Sequence, residues 1–465
     1  MAVKRGGLLV RIALAVHGWP PEQVGGTELS TRALARALVA HGHEVLVIAG
    51  TLKFSHPPSV RREREQDPAS GKSFSVVKIE RSDPYFDHWQ KHRAPHTSRV
   101  AVELMEEHKI EVLHVHHWVR LSTDLVRRAA RAGIPSLVSL HDHYATCLLG
   151  WRVHPTEEAV CKRKFEPLAC SLCAAAVPPR TPWLPPEEQA MRAATRMQAI
   201  AAELDAARCI LVPSMAHAES LLFLGLPQHH LIVVPPLAPV GLTPRDPLPV
   251  PVGKEPLLVG AWGLSDDAKG VSLLKAAARR LKGRVHLVLA GRAAGESEPW
   301  IETHGAYAPE DLAEHPVTRV HVAAVASLAL ESHGLVASEG QALGLPLVLP
   351  LMDALAERFS DGEGVLFYEQ GDEDDLTAVL DRLARERGLL EILGRRVHPE
   401  GDLFDQTVEH LQALYGRTLR DGAPDVPSEE WFEERMAQET MDAWDEALKA
   451  APRSSLGLPD EEPKR

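Results

Sequence analysis

No apolar run in this 465-residue chain approaches the roughly 20 residues that span a bilayer, so membrane-spanning helices are not expected. No repeat period is evident, which sets aside solenoids and propellers. Near the start, Lys4, Arg5 and Arg11 accompany a short apolar stretch. That stretch ends in His17-Gly18 without a small-residue cleavage site, so it reads as a first strand and not as a signal peptide. The expected location is cytoplasmic. Basic charge is in short supply, with 51 Lys+Arg against 64 Asp+Glu, and the shortage is uneven. Residues 1–238 hold 28 basic and 23 acidic side chains, a balance of +5; residues 239–465 hold 23 and 41, a balance of −18. The acidic half argues against nucleic acid as a partner. The mildly basic half is first of all an ordinary solvated surface. It would also suit an anionic or lipid-linked binding partner, with peripheral contact at the inner face of a membrane.

Cysteine is sparse as well. Of five, Cys147, Cys161, Cys170 and Cys173 fall in one polar loop at 143–190. Four clustered thiols with one Cys-x-x-Cys pair in a reducing compartment read as structural zinc, with a redox-sensitive loop or unliganded thiols as alternatives. Cys209 stands in an apolar strand-like run and reads as a small core residue.

What the chain does have is alternation. Short apolar runs at 11–16, 44–49, 111–116, 136–141, 209–212 and 231–234 are separated by amphipathic segments at 29–40, 121–132, 187–207 and 216–224. This order argues for a parallel, doubly wound α/β sheet. Residues 51–100 are polar and poorly periodic and read as an irregular insertion. Six prolines between 239 and 256 suit a semi-rigid linker and no regular element. Alternation then resumes, with strands near 257–261, 285–290, 322–328, 347–350 and 365–368 and helices near 271–282, 335–343, 374–387 and 404–420. The organisation expected is a first domain at 1–238, a linker at 239–256, a second domain at 257–403, a helix at 404–420 and an acidic extension at 421–465.

The richest stretch runs from Glu331 to Glu339, Glu-Ser-His-Gly-Leu-Val-Ala-Ser-Glu. It follows an apolar run at 320–330, placing Glu331 at a strand end, and opens an apolar helix that carries Glu339. Gly334 lets the backbone approach a ligand, and the first helical N–H groups, from Gly334 through Leu335 to Val336, form a phosphate site. A carboxylate on each side can accept hydrogen bonds from sugar hydroxyls, so the pattern suits a sugar bonded to a diphosphate. Gly25-Gly26 lies in the first strand-to-helix turn, where paired glycines leave backbone N–H groups uncovered. Lys269-Gly270 opens the first helix of the second half. His114, His116 and His117 cluster near a strand end without a carboxylate partner, and so read as cleft lining, not as a catalytic metal site.

Three motifs carry a resemblance: Glu331 to Glu339 with its continuation Gly340-Gln341-Ala342-Leu343-Gly344-Leu345-Pro346; Val16 to Glu22 followed by Gly25-Gly26-Thr27-Glu28; and Ile110 to His117 followed by Ser139-Leu140-His141-Asp142. In content and order they resemble the retaining glycosyltransferases of family 4, the group of glycogen synthase and many mannosyltransferases. The resemblance covers roughly residues 10–420. It implies the GT-B fold, two facing Rossmann-like domains with an interdomain cleft and a last helix that crosses back to the first domain. It implies transfer of a sugar from a nucleotide-diphosphate donor to an acceptor hydroxyl, as in cell-surface polysaccharide or glycolipid synthesis, with no cofactor required for catalysis. By the same resemblance Glu339 holds the ribose, Glu331 and His141 the donor sugar, and Lys269 the diphosphate. The family often adds an Arg five positions before that lysine, where this chain has Leu264; Arg292, after the next strand, is the candidate substitute. A nucleotide-sugar epimerase or hydrolase in the same cleft, and a non-catalytic donor- or partner-binding protein, are the alternatives.

Overall fold

The computed structural model describes residues 9–83, 85–155, 160–177, 184–227, 230–238, 242–398 and 403–450. The start of the proline-rich linker and the polar end at 451–465 lie outside the described residues.

Two sheets organise the chain. The first contains β1 (Arg11–Val16), β2 (Glu44–Phe54), β3 (Ser59–Gln66), β4 (Ser73–Arg81), β5 (Val112–Val115), β6 (Ser136–Ser139), β7 (Cys209–Val212) and β8 (Leu231–Val233). Its order is β3-β4-β2-β1-β5-β6-β7-β8, parallel throughout except for the antiparallel β3–β4 hairpin. The second contains β9 (Leu257–Ala261), β10 (Val285–Ala290), β11 (Ile301–His304), β12 (Val322–Ala324), β13 (Leu347–Leu351) and β14 (Val365–Glu369), all parallel, in the order β11-β10-β9-β12-β13-β14. Helices cover both faces, so central strands are apolar on both sides. In β1, Ile12 and Leu14 join the core beneath helix Gly26–Ala40, while Ala13 and Ala15 join the opposite core with Leu104 and Leu125.

Three departures from the sequence reading have physical reasons. The irregular insertion expected at 51–100 contains β3, β4 and helix Pro95–Glu107. β3 is an edge strand with charged side chains on both faces, Arg61 bonded to Glu22 and Arg62 to Glu107, so it carries no apolar alternation. β11 was not anticipated because it fully buries only Ile301. The apolar run 320–330 leaves the sheet at Ala324 and continues as a loop, with the Leu328 amide bonded to the Ala268 carbonyl at 2.8 Å.

The helix Leu403–Asp421 sends Val408, Leu411, Leu414 and Tyr415 into the core of the first sheet, and the Tyr415 hydroxyl lies 2.8 Å from His114 Nδ1. The acidic extension docks there as well. Phe432 and Met436 of helix Glu429–Ala450 pack on Ala199, and the Arg127 guanidinium sits 3.5 Å over the Phe432 ring. Glu429 pairs with Arg93 and Arg131, so part of the acidic excess is met by the basic first half. Among the described residues no helix is long and apolar enough to cross a membrane.

Candidate active site

Between the two sheets lies a cavity of about 900 Å³, the size of a small-molecule site. The turn after β1 and the loop after β12 meet across it. Gly25 caps helix Gly26–Ala40, and a Cβ at Gly26 would lie 3.1 Å from Leu335 Cδ1 of the other half. Gly334, left-handed at φ 83°, caps helix Leu335–Ala342. Its carbonyl accepts from Ala337 and Ser338, so the Leu335 and Val336 amides precede the first intrahelical bond and remain for a ligand. Two helix N-termini, one from each half, thus face one cleft, and both favour negative charge.

Glu331 lies in the loop after β12, seven residues beyond the strand's last residue, and not at the strand end expected. The loop turns it back on Lys269, whose Nζ donates to Glu331 Oε1 at 2.7 Å. Gly270 makes this approach feasible. It is left-handed at φ 71°, and its backbone presses so close to the Ala326 carbonyl that no side chain fits. Burial pushes the Glu331 carboxyl up, but the Lys269 ammonium and the Ser327 hydroxyl outweigh it and hold the group below the usual carboxylate range. For Lys269, burial works against the charge and Glu331 restores it, with a net rise. Two residues assigned separate tasks in the sequence are therefore one ion pair facing the cleft.

Glu339 is the fifth residue of its helix and 6% exposed. Trp262 Nε1, just after β9, donates to Glu339 Oε2 at 2.7 Å. Sequence reasoning missed Trp262, which stands 77 positions away in an apolar run with nothing to mark it. Burial raises the Glu339 carboxyl to about 7, against the smaller opposing effect of the Trp262 bond. If Glu339 holds a ribose, as the sequence resemblance implies, the ribose hydroxyl donates to the ionised form. Nucleotide affinity is therefore expected to fall as pH drops below about 7, approaching tenfold per unit, and to level off above it. Calorimetric titration between about pH 6 and about pH 8 checks this, with Glu339→Gln as the reference that removes the ligand's own titration. Identical profiles for both proteins would dismiss the assignment.

His141 also lines the cleft. Its Nε2 lies 2.9 Å from His116 Nδ1, one nitrogen donating and the other accepting, which leaves Nδ1 for a ligand. Burial lowers His141 to about 4 and His114 to about 3, so both imidazoles are neutral near pH 7. The cleft-lining role expected for His114, His116 and His117 does not hold. All three are buried behind the wall: His114 bonds to Tyr415 and Ser139, His116 orients His141, and His117 lies 3.4 Å from Asp142. Two serines tie the halves together, because the Ser332 hydroxyl donates to the His141 carbonyl at 2.6 Å and the Ser214 hydroxyl to the Ser332 carbonyl at 2.8 Å.

The four loop cysteines are free and partly buried, with Cys170 and Cys173 on helix Pro167–Ala175. Burial first, and then the neighbouring thiols Cys147, Cys161 and Cys170, push Cys173 up to about 11. Among the described residues no set of three or more His, Cys, Asp or Glu side chains is arranged to hold a metal ion, so the structural zinc of the sequence reading gains no support. Cys209 is a core residue, as expected.

Family profiles match both halves of the chain. The profile described as Glycosyltransferase Family 4 matches residues 24–238, and that described as Glycosyl transferases group 1 matches residues 255–386. No curated protein sequence matches significantly. Among solved structures, sucrose-phosphate synthase from Thermosynechococcus elongatus superposes with a TM-score of 0.61 at 18% identity, over 88% of this chain and 100% of that one. HepE from Anabaena in complex with UDP-glucose gives 0.53 at 16%, over 86% and 99%. The catalytic domain of starch synthase IV from Arabidopsis thaliana, bound to ADP and acarbose, gives 0.55 at 14%, over 89% and 100%. At these identities the likeness is one of fold. Fold and cleft define a two-domain GT-B architecture. The family matches to its two halves identify the chain as a family 4-like glycosyltransferase.

Proposed function

We propose that the chain transfers a sugar, with retention of configuration, from a nucleoside-diphosphate donor to a hydroxyl of a saccharide or lipid-linked saccharide. The observation that carries this reading is the convergence on one cleft of two helix N-termini and Lys269, with a buried carboxylate at Glu339 beyond them. Glu339 accepts from the ribose. Glu331 and His141 Nδ1 contact the donor sugar. Lys269 is shared between Glu331 and the diphosphate, and the Leu335 and Val336 amides complete the anion site. The bond from the anomeric carbon to the diphosphate breaks as the bond to the acceptor oxygen forms on the same face. The acceptor proton passes to the departing phosphate oxygen, so no enzyme nucleophile is needed. Binding in HepE, seen with UDP-glucose, supports the donor class by analogy of fold.

Thermal-shift screening against UDP, GDP, ADP and TDP tests the reading. A ligand at a hundred times its Kd stabilises the native state by about 2.7 kcal/mol, which amounts to several degrees. One nucleoside diphosphate is expected to give such a shift; none doing so would overturn the proposal. Sugar released to water without any acceptor effect would instead favour a hydrolase.

A further inference from the structure

Three cations line the cleft, Arg32, Lys269 and Arg292, and their commitments differ. Arg32 is spent on Glu65 at 2.6 Å and Glu310 at 2.5 Å. Lys269 is held by Glu331. Arg292 is exposed and, among the described residues, has no hydrogen-bonded or ion-paired protein partner. Its position is nonetheless built. The Ala293 amide donates to the Leu264 carbonyl at 2.9 Å and the Leu264 amide to the Ala290 carbonyl at 3.4 Å, so the loop holding Arg292 is stapled to residue 264 from both sides. Gly291 has φ 144°, and a Cβ there would stand 2.3 Å from the Leu264 carbonyl oxygen. Leu264 itself turns inward, 3% exposed, among Val271, Leu274 and Leu289. The Gly291 amide bonds to the His304 and Gly305 carbonyls, which steadies the other side of the turn. Residue 264 thus brings only an almost fully buried apolar side chain to the cavity, while the neighbouring Arg292 brings an exposed guanidinium side chain. Burial raises the Glu28 carboxyl, in the first turn of helix Gly26–Ala40, and the positive charge of Arg292 is among the smaller effects that oppose it.

We infer that Arg292 is a diphosphate-binding residue of the donor site, supplying from the loop after β10 a cation that, unlike Lys269, is not already paired with a carboxylate. The inference rests on the proposed donor reading. A planar guanidinium with no protein acceptor can give two parallel hydrogen bonds to diphosphate oxygens, which a lone lysine cannot. It also explains why a tight Gly291 turn is placed beside Leu264, since any side chain at 291 would lift the loop away.

The test is calorimetric titration of wild type, Arg292→Ala and Arg292→Lys with the nucleoside diphosphate that stabilises the wild type, and with the corresponding nucleoside. Loss of a charge-assisted pair predicts about a ten- to a hundredfold weaker Kd for the diphosphate in R292A. R292K is expected to fall between the two, nucleoside binding to be unchanged, and the salt dependence of diphosphate binding to be shallower. Arg292 is exposed, so the unliganded melting temperature should stay at the wild-type value. Wild-type diphosphate affinity in R292A overturns this inference alone. A wild type that binds none of the four diphosphates overturns it together with the donor reading.

Discussion

Replacing Lys269 by Met is expected to lower donor turnover by about 10²- to 10³-fold, the loss that follows removal of one preorganised stabiliser of developing charge. The structure makes the loss larger than that of a surface lysine, because Lys269 also holds Glu331 ionised at 2.7 Å. Without the ammonium, burial acts on Glu331 against the Ser327 hydroxyl alone, and its carboxyl moves up. Turnover, read as release of nucleoside diphosphate, should fall more than nucleoside binding, because the nucleoside contacts do not change along the reaction. Glu331→Gln tests the same unit from the other side. If the two act together, K269M/E331Q will be little worse than K269M alone. Additive losses would show two independent residues, and K269M with near-wild-type turnover would remove Lys269 from the mechanism.

Gly270→Ala is expected to cost more stability than any other single methyl addition in the second domain. The residue is left-handed at φ 71°, and the new Cβ would fall 1.8 Å from the Ala326 oxygen and 2.8 Å from its carbon. Those are backbone atoms and cannot swing aside. Helix Val271–Arg280 would have to lift off the loop that carries Glu331. A loss of more than about 4 kcal/mol, or failure of the second domain to fold, is the expected result. Gly388→Ala is the natural contrast: it lies in helix Arg387–Arg395 with nothing within 4 Å of its Cβ. There the smaller entropy of the unfolded chain should stabilise by about 0.4–1 kcal/mol. Calorimetric melting of both variants decides, and G270A melting with the wild type would mean that the close approach at Ala326 is not retained in solution.

Much of the architecture was legible because it follows from local period. β1, β7, β9 and β10 occupy the residues their apolar runs indicate, and helices Gly26–Ala40, Leu335–Ala342 and Leu403–Asp421 lie within a few residues of their amphipathic segments. Buried parallel strands and one-faced helices write themselves into composition. β3 was hidden because an edge strand with charged residues on both faces has no such period, and β11 because it buries so little. The end of β12 was misplaced for a third reason: an apolar run shows that residues are buried, not what their amides bond to.

By itself the sequence determined which residue types stand at the cleft. Gly25, Gly26, Gly334, Lys269, Glu331, Glu339 and His141 all line it, because turns after parallel strands meet at one end of such sheets. Tertiary structure alone decided how they are paired. The Lys269–Glu331 bond spans 62 positions, Trp262–Glu339 spans 77, and Ser332–His141 spans 191. Each depends on the register of strands in a sheet or on the seating of one half against the other, and neither leaves a local period. Charge state followed the same rule. Glu331 and Glu339 are the same residue type eight positions apart, yet an ammonium holds one ionised while burial raises the other to about 7.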